Sequence, residues 1–324
     1  MFCATWTENK GPARKSILVV SHDAGGAEVI SAWVKKHKEG RYQFLLEGPA
    51  VKIFSRKLPN IPLVTREVLD SNLQNFNLVL AGTGWESDLE KRAIVRAREK
   101  GVKVAAYLDH WTGYQERFML DNRITLPDEI WVGDRHAHAL ATSTFPGCPV
   151  KLEPNLYFEE LLASVRAVTL HHEKKKGIRV LYVCEPTSRV AQKNYGDPRY
   201  WGYTEFEALE GYLRFAVSQA KDIATIRVRL HPTEQSGKYH GIIDQYRQIF
   251  EIEESGERPL IEDCAWADWI VGCQSMSMVI GVLLKKPVFS CIPAGGQPLA
   301  LPFGEIVALF NPRGGQPEPE NLHQ

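Results

Sequence analysis

Short apolar runs alternate with helical segments along nearly the whole chain, and this alternation constrains the fold more than any other feature. The segments between the runs have helical patterns: 27–36 and 203–219 carry apolar residues at the helical period, and 86–100 is rich in Glu, Arg, Lys and Ala. Strands that alternate with helices build parallel sheets covered on both faces, so the sequence predicts an α/β protein. The apolar runs are 17–20, 43–46, 78–81, 102–107 and 129–132 in the first half, and 178–183, 226–230, 269–271 and 288–290 in the second.

The chain length and one break in the pattern predict two domains. The 324 residues are long for a single core, and a charged segment at 171–177 interrupts the alternation near the middle. We predict an N-terminal Rossmann-like domain at 1–170, a C-terminal one at 176–310 and a loosely ordered tail at 311–324. We expect the two domains to face each other across a cleft between the carboxyl ends of their strands, where ligands of open α/β sheets bind.

The charge balance and the cysteines narrow the class of protein. Lysine plus arginine equals aspartate plus glutamate at 39 each, which argues against a nucleic-acid binder but leaves open peripheral contact with a membrane. No apolar run is long enough to span a bilayer, and residues 1–16 lack the apolar core of a signal peptide. The six cysteines form no CxxC pair, as expected of free thiols in a reducing compartment. We expect a cytoplasmic protein, either free or at the inner face of the membrane.

The strand at 226–230 ends in cationic side chains and a His-Pro turn. Arg227 and Arg229 occupy alternate positions, so both point to the same face as His231. Three potential cations are costly to bury without an anion, which favours a phosphate site over a plain turn at Pro232.

A second phosphate signal follows the strand at 269–271. Gln274, Ser275 and Ser277 lie between that strand and an apolar helix. The first N–H groups of a helix and neighbouring hydroxyls are well suited to bind phosphate. In an open α/β sheet this turn and the His-Pro turn lie at the same edge.

The segment Arg229-Leu-His231-Pro232, followed by Gln274-Ser275-Met-Ser277 and Lys286-Pro287-Val288, resembles the C-terminal domain of bacterial GT-B glycosyltransferases that use CMP-activated sugars. Sialyltransferases and Kdo transferases carry a His-Pro motif and a serine motif in this order. The resemblance implies a GT-B fold and donor-phosphate contacts from His231, Ser275 and Ser277. Arg229, Pro232 and Gln274 belong to the same motifs and are assigned to the donor-nucleotide site.

The loop after the strand at 178–183 is a further candidate for the donor side. Thr187 and Ser188 would bind phosphate, and Glu185 would accept a hydrogen bond from the ribose or the base. A structural turn is an equally good interpretation of these three residues.

The loop after the first strand reads Ser21-His22-Asp23-Ala-Gly25-Gly26-Ala-Glu28. It is not a GxGxxG fingerprint, so no dinucleotide cofactor is predicted. Asp23 is either the N-cap of the next helix or a general base for the acceptor hydroxyl, with Glu28 as the second candidate base. By the resemblance, Kdo transferases also place a carboxylate in this loop. His22, Gly25 and Gly26 would line the acceptor side, the glycines because they allow a close approach.

The strand at 102–107 ends in a dense group of ionisable and aromatic side chains. Asp109 and His110 would form an acid/base pair, while Trp111 and Tyr114 would stack on a sugar ring. The alternative is that Asp109 caps a helix and the two aromatic residues belong to the core.

Together these motifs predict a GT-B glycosyltransferase that moves a sugar from a nucleotide-activated donor to a surface-glycan or glycolipid acceptor. The resemblance makes a CMP-linked sugar acid the expected donor. No Asp-x-Asp motif is present, so neither a metal nor another cofactor is expected. The alternatives are a UDP-sugar 2-epimerase or a CDP-glycerol-type glycerophosphotransferase of the same fold. A protein that binds nucleotide or glycan without catalysis is a further alternative.

Overall fold

A computed structural model describes residues 15–84, 87–167, 177–218 and 222–310. The chain divides into two compact units, Met1–Tyr157 (unit 1) and Phe158–Gln324 (unit 2). The division lies earlier than the boundary predicted from the charged segment, whose residues 171–176 lie outside the described residues, as does the predicted tail. Each unit has a six-stranded sheet in which every strand pair is parallel, so the predicted pair of Rossmann-like α/β units is confirmed.

The strand order in the sheet of unit 1 is β2-β1-β3-β4-β7-β8, so β2 lies on one side of β1 and β3 lies on the other. The switch point therefore lies between β1 and β3. Residues Val19 and Leu80 of these two central strands are fully buried, as expected of strands covered on both faces. The elements are β1 Ser16–Ser21, α1 Ala24–Lys36, β2 Arg41–Leu46, α2 Pro49–Lys57, α3 Val68–Ser71, a 3-10 turn Leu73–Asn75, β3 Leu78–Ala81, α4 Leu89–Glu99, β4 Val104–Leu108, α5 Tyr114–Arg117, the hairpin strands β5 Met119–Leu120 and β6 Arg123–Ile124, β7 Glu129–Val132, α6 Arg135–Thr144, β8 Val150–Leu152 and α7 Leu156–Ala167, which begins at the division.

Unit 2 has the order β11-β10-β9-β12-β13-β14, and its switch point lies between β9 and β12. The edge strand β11 was not predicted, because its sequence, Glu-Ile-Glu-Glu-Ser, is not an apolar run. Charged residues are tolerated on an edge strand. None of the helices in the described ranges is long and apolar enough to cross a membrane. The elements are β9 Ile178–Val183, α8 Thr187–Tyr195, α9 Glu205–Ser218, β10 Ile223–Arg229, α10 His240–Tyr246, β11 Glu251–Ser255, α11 Leu260–Trp266, β12 Trp269–Gly272, α12 Met276–Leu283, β13 Val288–Ser290 and β14 Ile306–Ala308.

Candidate functional site

At the switch point of unit 2, a half-buried carboxylate holds the turn that starts α12. Glu185 follows β9, and its Oε1 accepts hydrogen bonds from the backbone N of Cys273 at 3.1 Å and of Gln274 at 2.7 Å. Burial raises the pKa of Glu185 to about 7, although these N–H donors lower it. Glu185 therefore fixes the turn between β12 and α12, a role that differs from the predicted contact with a ribose or base.

The serine motif forms the first turn of α12. Ser275 is the N-cap, and its Oγ accepts a hydrogen bond from the backbone N of Ser277 at 3.2 Å. Gln274 Oε1 accepts a hydrogen bond from the backbone N of Ala300 at 3.0 Å, so this side chain secures the loop after β13. Because the N–H groups of Cys273 and Gln274 bond to Glu185 and that of Ser277 bonds to the Ser275 hydroxyl, an anion at this helix start would rely on the N–H of Met276.

The His-Pro turn orients one nitrogen of His231. Thr233 donates its backbone N–H to His231 Nδ1 at 3.3 Å, and the Thr233 hydroxyl lies 2.7 Å from the same nitrogen. Because Nδ1 accepts a hydrogen bond, the neutral imidazole carries its proton on Nε2. His231 is therefore set up as an N–H donor, while Pro232 is an exposed residue of the turn.

Arg189, which the motif analysis missed, joins this turn from α8. Its Nη2 donates to the Thr233 hydroxyl at 2.5 Å, and no ion pair ties its guanidinium to a carboxylate within the described residues. Thr187, at the start of the same helix, is buried, and its backbone N–H bonds to Glu185 O at 2.8 Å. Arg189 therefore supplies a positive charge at this edge, whereas the burial of Thr187 argues against its predicted contact with phosphate.

A polar network behind His231 accounts for Ser188. Ser188 donates both its backbone N–H and its hydroxyl to Glu205. Lys238 bridges Glu205 and Glu234 at 2.5 and 2.7 Å, and Glu234 accepts the backbone N–H of His231 at 2.9 Å. The prediction that Ser188 binds phosphate is corrected, because its hydroxyl belongs to the network that anchors the His-Pro turn.

Arg227 and Arg229 do not supply free cations to the edge. Asp263, a fully buried residue of α11, accepts from Arg227 Nη1 at 2.9 Å and also pairs with Arg229. Arg227 further binds Glu253 at 2.5 Å. The arginines have the anion that their burial demands, but the anion is part of the protein, which corrects the assignment of Arg229 to the donor phosphate.

In unit 1, His22 and Asp23 form a hydrogen-bonded pair at the switch point. His22 Nδ1 lies 2.7 Å from Asp23 Oδ1, and both side chains are about one-fifth exposed, at 19% and 21%. Asp23 occupies the N-cap position of α1, but its side chain makes no capping hydrogen bond. A Cβ atom on Gly84, in the loop after β3, would overlap the Asp23 carboxylate. Asp23 is thus held at the edge by His22 and by contact with the β3 loop.

The two glycines of α1 allow close packing at this edge. A Cβ atom on Gly25 would overlap Asp109 Oδ2, and one on Gly26 would lie 3.2 Å from Gly82 Cα. Asp109 pairs with the buried Arg117 at 2.8 Å and lies 3.3 Å from the Thr83 hydroxyl. The fold thus brings the loops after β1, β3 and β4 together, as the position of the switch point predicts.

Glu28 lies farther along α1, and its carboxylate forms ion pairs with two basic side chains. It pairs with Arg56 at 2.5 Å and with Lys57 at 2.6 Å. These contacts tie α1 to α2, which argues against the predicted role of Glu28 as a general base.

The aromatic residues after β4 belong to the core. Trp111 and Tyr114 are each 4% exposed; Trp111 donates its Nε1–H to Asp134 at 2.9 Å, and Tyr114 stacks on Phe145. Their burial overturns the predicted stacking on a sugar ring in favour of the structural alternative. Burial, together with the Arg117 charge, lowers the pKa of His110 to about 4, so its imidazole is neutral at pH 7.

Glu90 is a carboxylate at the edge of unit 1 that the motif analysis missed. It lies in the first turn of α4 and accepts the backbone N–H of His22 at 2.6 Å. Burial raises the pKa of Glu90 to about 7. A glutamate in a helix rich in charged residues has no sequence signal of its own, because only the tertiary fold places it beneath His22. Within the described residues, no cluster of His, Cys, Asp and Glu could hold a metal ion.

Comparisons with known proteins show the fold. No protein-family model and no curated protein matches the chain. The UDP-GlcNAc 2-epimerase from Methanocaldococcus jannaschii has a similar structure, with a TM-score of 0.60 and 13% identity over 90% of this chain and 88% of that one. S. aureus MnaA, in a co-structure with UDP, gives a TM-score of 0.55 at 12% identity over 85% and 79% of the chains. Acinetobacter baumannii MurG gives 0.50 at 12% identity over 85% and 78%. The chain therefore has the GT-B fold.

Proposed function

We propose that the chain is a nucleotide-sugar enzyme in which unit 2 binds a UDP-linked sugar and unit 1 supplies acid/base groups. The observation that carries this proposal is the Thr233 hydroxyl, which joins Arg189 to His231. The start of α12, held by Glu185, lies at the same carboxyl edge of the sheet. A guanidinium, an imidazole N–H and an N–H group at a helix start suit a diphosphate at a switch point.

UDP replaces CMP as the expected nucleotide. The donors of unit 2 come from three elements, namely the start of α8, the turn after β10 and the start of α12. Such a spread suits the two phosphates of a nucleoside diphosphate better than the single phosphate of CMP. The similar structures of a UDP-GlcNAc 2-epimerase and of MnaA with UDP support the same choice.

The carboxylates of unit 1 suit epimerisation, and the similar structure of a UDP-GlcNAc 2-epimerase favours it over sugar transfer. Inverting carbon 2 of a sugar requires that a proton leave that carbon and return, so the reaction needs groups that accept and donate protons. Asp23, paired with His22, and Asp109, packed on Gly25, both lie at the first turn of α1. A 2-epimerase would act on the nucleotide sugar alone. Transfer to a glycan or glycolipid acceptor is the second candidate, favoured by the order of the His-Pro and serine motifs.

Calorimetric titration with UDP, CMP, CDP and NAD tests the nucleotide site. We expect UDP to bind tightest, and Arg189→Ala to weaken UDP binding by about ten- to a hundredfold, because a charge-assisted hydrogen bond to phosphate is lost. Arg214→Ala is the matched control, since Arg214 is an exposed arginine of the same unit that pairs with Glu210. Equal affinity of the two variants would contradict the site. Preferred binding of CMP would favour a glycosyltransferase that uses a CMP-linked sugar. Preferred binding of CDP would favour a CDP-glycerol-type glycerophosphotransferase.

Incubation with UDP-GlcNAc alone tests the reaction. Proton NMR should show a second isomer, inverted at carbon 2, without any acceptor present. Loss of UDP-GlcNAc only when a glycan acceptor is added would favour transfer. UDP binding without turnover under either condition would leave a non-catalytic binding protein.

A further inference from the structure

Two buried oxygens beneath the His22–Asp23 pair have no hydrogen-bond partner among the described residues. They are Ser21 Oγ and Glu90 Oε2, and the two residues are 0% and 2% exposed. Both side chains lie against Gly82, where a Cβ atom would be 3.1 Å from Ser21 Oγ and 3.8 Å from Glu90 Oε1. Unpartnered buried polar atoms are rare in folded proteins and require an explanation.

The surroundings of Glu90 disfavour a negative charge. Burial is the main cause of its raised pKa; hydrogen bonds from its own backbone and that of His22 lower the pKa, while the Asp23 charge raises it. The strands packed against α4 face it with apolar residues, and Lys91, next to it in the helix, lies 3.4 Å from Asp88. Asp70, on α3, pairs with Arg96 at 3.2 Å. The titratable groups that act on Glu90 are therefore Asp23 and His22.

We propose that Glu90 is a positioning residue that carries a proton beneath the His22–Asp23 pair in the neutral range. Two carboxylates in a poorly solvated site resist simultaneous ionisation, so the proton stays on the buried one. Glu90 Oε1 fixes the backbone of His22, and the charge of Glu90 sets the electrostatic field at the imidazole. When the proton leaves for solvent, a second negative charge appears next to Asp23. The inference rests on the proposed function only where it concerns the reaction in which the His22–Asp23 pair takes part.

NMR measures this coupling without substrate. In protein labelled with carbon-13 at the glutamate carboxyl, the Glu90 signal should titrate with a midpoint near pH 7. The ring-proton resonance of His22, identified by its loss in His22→Gln, should move as Glu90 loses its proton, because the two residues are joined by a hydrogen bond. The pH dependence of this resonance should therefore change in Glu90→Gln and match wild type in Glu28→Gln, a matched change of a carboxylate on α1. A Glu90 midpoint below pH 5, or identical His22 curves in wild type and Glu90→Gln, would overturn the proposal.

Stability and turnover give two further readouts. Because the pKa of Glu90 is raised on folding, its contribution to stability is full below pH 4.5 and is lost as the pH rises to about 7. Glu90→Gln should lack this loss, so its melting temperature relative to wild type should rise over that interval. A melting-temperature difference between Glu90→Gln and wild type that stays constant over this pH interval would count against the proposal.

Turnover gives another readout. With UDP-GlcNAc, the pH profile of turnover by Glu90→Gln should lack the inflection near pH 7. Absence of turnover in the wild type would refute the proposed reaction and leave the NMR result to decide on Glu90.

Discussion

Replacing Asp263 with alanine should lower the free energy of unfolding by about 3–5 kcal/mol, the usual cost of removing one member of a buried ion pair. Asp263 is fully buried and accepts hydrogen bonds from Arg227 at 2.9 Å and from the Ser255 hydroxyl at 2.7 Å, besides pairing with Arg229. Without it, Arg227 keeps the partly exposed Glu253 as its carboxylate partner, and Arg229 keeps no ion pair among the described residues. The measurement is urea denaturation at pH 7.

The control for this prediction is Asp244→Ala. Asp244 pairs with Arg247 at 2.8 Å, but its side chain is 62% exposed. An exposed pair contributes about 0–1 kcal/mol, so the control should unfold near the wild-type urea concentration. Asp263→Asn should also be strongly destabilising, because the amide keeps the shape but removes the charge. Equal stability of Asp263→Ala and Asp244→Ala would mean that the cluster around Arg227 contributes no more than a surface pair.

The same cluster shows where sequence reasoning succeeded and where it failed. The alternation at Arg227 and Arg229 correctly predicted that the two arginines share a face and need an anion. It could not identify that anion, because Asp263 comes from α11, beyond the next strand, and nothing in the local sequence links the two segments. A buried cation on a strand is satisfied by an internal carboxylate as readily as by a ligand, and only the fold decides between them.

The edges of the sheets were easier to predict than the side chains on them. Because parallel strands all end at the same edge, the loops that contain Asp23, Asp109, Glu185 and Ser275 could be assigned to the carboxyl edges of the sheets from the alternation of strands and helices alone. The direction of each side chain within a loop was not predictable in this way. Trp111, for example, points to Asp134 in the core, although its position after a strand equally suits a ligand site.

Replacing Gly25 with alanine should reduce turnover of the nucleotide sugar about a hundredfold while leaving UDP binding unchanged. A Cβ atom at this position would overlap Asp109 Oδ2, and Asp109 has little freedom to withdraw because Arg117 and Thr83 hold it. Displacing an acid/base group by about 1 Å can cost a factor of about 10² in rate. The UDP site is built from unit 2, so the affinity for UDP should not change.

The control is Gly241→Ala on α10, where a Cβ atom meets nothing within 4 Å. Replacing glycine with alanine stabilises a helix by up to about 1 kcal/mol. Full activity in Gly25→Ala, with a melting temperature like that of wild type, would remove Asp109 from the proposed mechanism.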